Sequence, residues 1–257
     1  MGNVRTTVRD LLIQYGFYRP GQWNRLVNSS ARRQFQHNIQ FYRNLLPPNS
    51  LVFDVGANIG ERSEELLASG SRVVSFEPQR HCLTQLQARC RLHGERLAVV
   101  ESAVGSESGT ATLYMTENGA VSSLARNWVD APKAAESVSL TTLDTAIQRF
   151  GLPYYCKIDV EGWELEVLRG LSQPLPLVSL EFHDRPEDLQ KTLHCLRYLS
   201  DLSEVEFNVT PAEMLEFRFA TWLQVGDFEK VVDQHIRGQH AMRYGDLFVR
   251  TPLLQKC

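Results

Sequence analysis

Residues 51–60, LVFDVGANIG, constrain the fold more than any other segment of the chain. An apolar run ends in an acid and opens into a turn with two glycines, a pattern that indicates a buried parallel strand leading into a helix. A second apolar run, residues 72–76, ends beside Glu77, 21 residues after Gly56. Glycines let a backbone approach a ligand, and an acid at the neighbouring strand tip can accept hydrogen bonds from ribose hydroxyls. The pattern therefore predicts a nucleotide site on an α/β fold.

The turn distinguishes between two kinds of nucleotide. A dinucleotide site favours G-x-G-x-x-G with a helix N-terminus facing the pyrophosphate, whereas this chain has G-x-x-x-G. Asp54 ends the first strand, where a carboxylate repels phosphates but suits a ligand that carries an ammonium and a sulfonium. The charges favour S-adenosylmethionine over NAD. The alternative for the glycines alone is the tight turn of any α/β unit.

Composition restricts the class of protein. The chain has 257 residues, 43% of them hydrophobic, and a net charge of -3, which suits one α/β domain with elaborations. The mildly acidic balance argues against nucleic acid or an anionic membrane as the main partner. The five cysteines form no C-x-x-C pair, which indicates a reducing compartment. No signal-peptide layout is present and no apolar run approaches the roughly 20 residues that cross a bilayer, so we expect a soluble cytoplasmic protein.

The first 47 residues differ from the rest and are predicted to form a helical cap or extension on the main domain at 48–257. Residues 30–46 have apolar side chains at helical spacing, with Ser29 or Ser30 as the N-cap and Pro47-Pro48 as the stop. The aromatic residues before it are Tyr15, Phe17, Tyr18 and Trp23. This aromatic-rich N-terminal layer could cover the ligand mouth, and the alternative is a helix that packs on the sheet edge.

Strands and helices alternate after residue 51, which predicts a parallel sheet with right-handed crossovers. The predicted strands are 72–76, 97–104, a β-like insert at 110–115, 177–182, 204–209 and 246–250. The predicted helices are 61–69, 79–92, one beginning near 188 and a long one over 217–236. The loop at 117–126 breaks the alternation and could contact substrate, although a surface connection is the default interpretation.

Four titratable side chains are predicted to meet at one edge of this sheet. A buried strand ends at Asp159, closely followed by Glu161, and a further strand delivers Glu181 and His183. Ligands of open α/β sheets bind beyond the carboxyl ends of the strands. The four groups therefore lie on the reactive side.

In these motifs the chain resembles the FkbM family of S-adenosylmethionine-dependent methyltransferases. The shared motifs are VFDVGANIG at 52–60, FEP at 76–78, SAVG at 102–105, SSL at 122–124, TTLD at 141–144, KIDVEGWELEVLRG at 157–170 and LFV at 247–249. The resemblance spans residue 45 or so to the end. It implies a Rossmann-like class I methyltransferase fold, with a mostly parallel seven-stranded sheet, helices on both faces and an antiparallel last strand pair. It also implies methyl transfer to hydroxyl oxygens of sugars or natural products.

The resemblance further implies roles for individual residues. Those assigned to the donor are Asp54, Gly56, Ala57, Asn58 and Gly60 at the methionine moiety, Glu77 with Pro78 at the ribose, Ser102 and Ala103 at the adenine, and Asp159 beside the sulfur. For Glu77 the alternative is an acid that stabilises a helix N-terminus. Ser102 and Ala103 are also ordinary strand-end residues.

A neutral alcohol is a poor nucleophile, and a placed base typically contributes about 10²–10⁴-fold. The candidate catalytic residues are Asp159, Glu161, Glu181 and His183, of which His183 is the strongest base by its ordinary pKa. Asp159, Glu181 and His183 could also ligate a divalent ion, but no tight metal motif is present and no metal is assigned.

Two other classes of protein stay open: a non-catalytic adenosyl-binding scaffold and an NAD-dependent oxidoreductase. The expected partner is a small-molecule acceptor, and the oligomeric state is open.

Overall fold

Two β-sheets and the helices around them form the part of the chain that a computed structural model describes: residue 25 and residues 28–116, 122–126, 132–211, 215–236 and 242–256. The strands are β1 (Leu51–Val55), β2 (Arg72–Phe76), β3 (Leu97–Val100), β4 (Ala103–Val104), β5 (Gly109–Met115), β6 (Ser122–Ser123), β7 (Ala134–Thr141), β8 (Tyr155–Ile158), β9 (Leu177–His183), β10 (Glu206–Pro211), β11 (Leu223–Gln224) and β12 (Tyr244–Arg250). The α-helices are α1 (Ser29–Leu45), α2 (Glu61–Ser69), α3 (Arg80–Cys90), α4 (Leu143–Phe150), α5 (Glu164–Arg169), α6 (Pro186–Leu202) and α7 (Phe228–Val231).

The main sheet has the strand order β11-β10-β12-β9-β8-β1-β2-β3. Strands β9, β8, β1, β2 and β3 pair in parallel, whereas β12 lies antiparallel between β9 and β10. The central strands are apolar because helices cover both faces, and Val52 and Phe53 are fully buried. This confirms the predicted Rossmann-like α/β class. Within the described residues this sheet has eight strands rather than the predicted seven, because β11 pairs with β10 at Phe207.

A second sheet has the order β4-β7-β5-β6 and lies beyond the tip of β3. The single predicted strand over 97–104 was wrong, because the chain leaves the main sheet after Val100. The Ser102 backbone N–H donates to the Val100 carbonyl at 2.9 Å and turns the chain, so that Ala103 pairs with Leu140 of β7. The β-like insert is confirmed as β5, which pairs antiparallel with β7.

Helix α1 packs on the main sheet through Tyr42, which is 1% exposed and lies against Tyr155 with a ring separation of 6.1 Å. Its N-cap is Asn28 rather than either predicted serine. The Asn28 side-chain oxygen accepts from the backbone N–H groups of Ser30 and Ala31 at 3.0 and 3.2 Å. The aromatic residues predicted to cover the ligand mouth lie outside the described residues, so the cap and its boundary at residue 47 stay predictions.

The predicted long helix over 217–236 was wrong. This segment contains β11, a 3-10 turn at Val225–Asp227, helix α7 and a π turn at Val232–Ile236. Its apolar residues pack as expected, since Phe217 contacts both Trp222 and Phe248 edge-on at 5.1 and 5.3 Å. The same spacing of aromatic residues is compatible with a helix and with an extended chain that packs on the sheet. The part of this segment that contains Phe217 and Trp222 is not helical. Among the described residues, no helix combines the length and apolar character that crossing a bilayer requires.

Candidate functional site

A cleft with a cavity volume of about 120 Å³ opens where β1, β2 and β8 end. Its lining comes from both sheets. The residues are Val55, Gly56, Asn58, Phe76, Glu77, Pro78, Gln79, Ser102, Ala103, Val104, Leu113, Ser122, Ser123, Leu124, Asp159, Val160, Glu161 and Trp163. All the residues predicted to hold the donor's ribose and adenine therefore face one space.

The turn after β1 is folded tightly against its neighbours. Gly56 and Gly60 adopt φ values of +81° and +80°, which glycine reaches without steric cost. The backbone N–H groups of Gly56 and Ala57 both donate to the Phe76 carbonyl, at 3.1 and 3.0 Å. A side chain on Gly56 would place its Cβ 1.8 Å from the Asp159 carbonyl oxygen. Glycine is therefore required here by close packing as well as by φ.

Glu77 is 4% exposed and does more than stabilise a helix N-terminus. Its two carboxylate oxygens accept from the backbone N–H groups of Asn58 at 3.0 Å and Gln79 at 2.8 Å. Burial raises the pKa of Glu77 to about 7, while these two bonds act against that rise. Each oxygen keeps acceptor capacity for a ligand, because a carboxylate oxygen has two lone pairs.

Asp54 is completely buried beneath the turn. Its Oδ2 accepts from the Ser63 hydroxyl at 2.6 Å, but its Oδ1 has no hydrogen-bond partner among the described residues. The Lys157 ammonium lies 3.9 Å from that oxygen. A buried acceptor without a hydrogen bond is costly, so the site suits a ligand that donates to it.

A second cavity adjoins the first, since Gly56, Asn58 and Asp159 line both. The remaining lining is mostly polar and comes from β1, the turn, β8, α1 and α2. These residues are Gln34, Asn38, Asp54, Ala57, Ile59, Glu61, Arg62, Glu65 and Lys157. The combined cleft therefore has two ends. The apolar end contains Pro78, Ala103, Leu113 and Leu124, and the charged end contains Asp54, Arg62 and Lys157.

Lys157 lies between the charged end of the cleft and Asp159, one of the predicted catalytic residues. Register places it beside Asp54 on the neighbouring strand, and its ammonium donates to Asp159 Oδ2 at 2.9 Å. Burial acts to lower the pKa of Lys157, but the carboxylates of Asp159 and Asp54 raise it well above its usual range. Burial likewise acts to raise the pKa of Asp159, and the Lys157 ammonium and a hydrogen bond from Glu181 hold it below its usual range. Asp159 is therefore an anion. Sequence reasoning gave Lys157 no role, although it lies in a shared motif.

The predicted catalytic residues lie close together beside the cleft. Asp159 and Glu161 line the cleft, whereas Glu181 and His183 line a smaller neighbouring pocket. Glu181 lies 3.4 Å from His183, measured between Oε2 and Nε2. Burial raises the pKa of Glu181 to about 7; the His183 hydrogen bond opposes this rise and the carboxylates of Asp159 and Glu161 add to it. The hydrogen bond with Glu181 raises the pKa of His183. Glu161 has a left-handed φ of +56°, and its carbonyl accepts from the Ser123 hydroxyl at 2.7 Å.

A divalent cation could use part of this group. Glu161, Glu181 and His183 can each offer one ligand atom, and these atoms all lie within 4.8 Å of one another. The sequence prediction named Asp159 in place of Glu161. Asp159 is instead engaged by the Lys157 ammonium.

The apolar end differs in one respect from the prediction. Ser102 and Ala103 line the cleft, but the Ser102 hydroxyl is directed at the backbone carbonyls of Ala103 and Ser139, at 2.8 and 3.0 Å. Gln79 and Trp163, which sequence reasoning did not assign to the donor, also line this end. Each carries a buried polar atom, Gln79 Oε1 and Trp163 Nε1, without a hydrogen-bond partner in the described part of the chain.

The strand order, the glycine turn after β1 and the acid after β2 place the protein in the class of Rossmann-like methyltransferases. The model of the methyltransferase FkbM domain matches residues 54–217. The chain therefore belongs to the FkbM methyltransferase family, and methyl transfer is its class of activity.

Comparisons with solved structures find distant likenesses. A precorrin-6y C5,15-methyltransferase from Geobacter metallireducens shares 11% identity, with 84% of each chain covered and a TM-score of 0.43. A TehB-like SAM-dependent methyltransferase from Corynebacterium glutamicum shares 10% identity, with 84% of this chain and 86% of that chain covered and a TM-score of 0.41. A comparison with curated proteins finds no significant match.

Proposed function

We propose that this protein is an S-adenosylmethionine-dependent O-methyltransferase that methylates a hydroxyl group of a saccharide or natural-product small molecule. The observation that carries the proposal is the Glu181–His183 pair beside the cleft, where Glu181 is hydrogen-bonded to Asp159 of the cleft lining. Such a pair suits a hydroxyl nucleophile, which must lose a proton. The proposal includes a cytoplasmic location, which the free thiols of Cys82, Cys90, Cys156 and Cys195 support.

The cleft fits the proposed donor at both ends. Asp54 Oδ1, buried and without a hydrogen bond in the described residues, would accept from the methionine ammonium. Arg62 lines the same cavity, pairs with Glu65 at 2.9 Å and would face the methionine carboxylate. Glu77 would accept from the ribose hydroxyls, with Pro78 and Ala103 bordering the base. When bound, the donor supplies a methyl group on an electrophilic sulfonium.

Glu181 is the general base in this proposal. A base is most effective when its pKa lies near the working pH, and the pKa of Glu181 is raised to about 7. His183, the strongest base by its ordinary pKa, is instead the hydrogen-bonded partner that opposes protonation of Glu181 in the resting site. The Glu181 side chain is itself 21% exposed, so it can release the proton that it accepts to solvent.

Asp159 and Lys157 position the acceptor. The Lys157 ammonium keeps Asp159 ionised, and an ionised Asp159 can accept a hydrogen bond from the acceptor hydroxyl at the junction of the two cavities. Much of the acceleration of a methyl transfer comes from alignment of the nucleophile with the scissile bond. Lys157 acts here through Asp159 and is a positioning residue.

The test is turnover with S-adenosylmethionine and a panel of saccharides and polyketide or phenolic alcohols, each paired with an amine analogue. Methylated product and S-adenosylhomocysteine are measured by mass spectrometry. We expect methylation of at least one alcohol, no faster reaction of its amine partner, and loss of most activity in Glu181→Gln. Methylation of amines alone overturns the choice of oxygen. Binding of S-adenosylhomocysteine without turnover on any acceptor favours the scaffold alternative, and binding of NAD in its place favours the oxidoreductase.

A further inference from the structure

We propose that Gln79, held in place by Ser122, recognises the 6-amino group of the donor's purine and makes the cleft selective against 6-oxopurines. The inference rests on the proposed function, because it concerns the donor of that reaction. It assigns a specificity-determining role to a side chain that the shared motifs do not mark. The ligand class is a 6-aminopurine nucleoside.

The first observation is an unsatisfied buried acceptor. Gln79 is 4% exposed, and its side-chain Oε1 has no hydrogen-bond partner among the described residues. Its other polar groups are occupied: the backbone N–H donates to Glu77 at 2.8 Å, and Nε2 donates to the Ser122 hydroxyl at 2.6 Å. A donor on the ligand would satisfy the remaining oxygen and remove the cost of its burial.

The second observation is the scarcity of other groups that could recognise the edge of a base. Pro78, Ala103, Leu113 and Leu124 provide apolar walls for a flat ring. The Ser102 hydroxyl is directed at two backbone carbonyls instead of the cleft. Trp163 Nε1 also lacks a hydrogen-bond partner among the described residues, but an indole N–H only donates and cannot accept from an amino group. Contact with apolar walls is similar for all purines, so recognition of the 6-amino group depends on Gln79.

Ser122 anchors the Gln79 amide. Its hydroxyl accepts from Gln79 Nε2 at 2.6 Å, an arrangement that leaves the carbonyl as the unpartnered end of the amide among the described residues. The 6-amino group of adenine donates to such a carbonyl. The 6-oxo group of hypoxanthine would instead bring two acceptor oxygens together.

The experiment measures the affinities of S-adenosylhomocysteine and S-inosylhomocysteine for the full chain by titration calorimetry. We expect the wild-type protein to bind the adenosyl ligand at least about 30-fold more tightly than the inosyl ligand, because the 6-oxo oxygen of the inosyl ligand faces Gln79 Oε1 and cannot donate to it. In Gln79→Met, which keeps side-chain length but has no amide, we expect the adenosyl affinity to fall about tenfold and the preference to shrink below about threefold. In Ser122→Ala, the freed amide can turn, so the preference narrows while adenosyl binding stays within about threefold of wild type.

Several outcomes overturn the inference. They are equal wild-type affinity for both ligands, a preference for the inosyl ligand, and an unchanged preference in Gln79→Met. If Gln79→Met does not fold by circular dichroism, an unchanged preference in Ser122→Ala overturns it. Absence of adenosyl binding to the wild type overturns the proposed function as well. Tight adenosyl binding without discrimination overturns this inference alone.

Discussion

The carbonyl oxygen of Asp159 occupies the position where a side chain on Gly56 would begin, 1.8 Å from the ideal Cβ. The relationship joins the turn after β1 to the end of β8, so two segments that line the cleft share one close backbone contact.

Gly56→Ala tests this contact. We expect loss of donor-product binding and destabilisation of about 3 kcal/mol or more, because alanine meets both a positive φ and a backbone clash. Thermal unfolding and calorimetry with S-adenosylhomocysteine provide the measurements. Gly226→Ala is the matched control, since no atom lies within 4 Å of its added Cβ. If the two variants behave alike, the contact is not important for either property.

Glu77→Gln is expected to weaken S-adenosylhomocysteine binding about 30-fold or more. In the wild type the backbone N–H groups of Asn58 and Gln79 each donate to one carboxylate oxygen of Glu77. In the variant, the NH₂ group of the amide faces one of these N–H groups, so two donors oppose each other. The wild-type affinity should also fall as the pH drops below about 7, where Glu77 gains a proton, and the variant should lack this dependence. Calorimetry from pH 6 to 8 measures both, with the exposed Glu107→Gln as control. Undiminished binding in Glu77→Gln would remove the basis of the donor assignment.

The pH dependence of turnover tests Glu181 as the base. Because the proposed base must be ionised, kcat should rise with pH through about 7. His183→Asn should move this limb to higher pH, because the His183 hydrogen bond now lowers the pKa of Glu181. Steady-state rates with saturating donor measure the shift. A parallel series with a chelator distinguishes this pKa shift from loss of a cation bound by Glu161, Glu181 and His183. If the pH at which kcat rises is the same in His183→Asn as in the wild type, the proposed interaction between Glu181 and His183 is contradicted.

Glu164→Gln is expected to stabilise the protein at pH 8. Burial raises the pKa of Glu164 to about 7, so the folded state keeps a proton that the unfolded state loses between about 4.5 and 7, and stability falls as the pH rises through this window. Glutamine avoids the charge and can still accept from Val160 and Gly162, since both donate to Oε1 at 3.3 and 3.0 Å. We expect a gain on the order of 2 kcal/mol at pH 8 and a smaller one at pH 5 by urea unfolding. A gain independent of pH would point to a different cause.

The donor turn and the catalytic edge could be predicted from sequence because both depend on short-range patterns. A strand that ends in an acid and a glycine turn is visible within ten residues, and strand carboxyl ends necessarily meet at one edge of a parallel sheet. Glu77 and Asp159 follow from these rules.

Other features depend on contacts that local patterns do not contain. Lys157 gains its role from the register that pairs β8 with β1, and Gln79 from contact with Ser122, 43 residues away. The long helix expected over 217–236 failed for a related reason, since Phe217 and Trp222 find their partners on the sheet face. Periodic apolar residues alone do not distinguish a buried helix from an extended chain.

The two adjacent serines of β6 bridge the cleft, Ser122 at Gln79 and Ser123 at the Glu161 carbonyl. A nucleoside seated beneath this bridge can depart past it only after both hydrogen bonds open. Each catalytic cycle that uses this exit then includes an opening of β6. Such an opening is separate from methyl transfer itself, and release steps of this kind limit turnover in many enzymes.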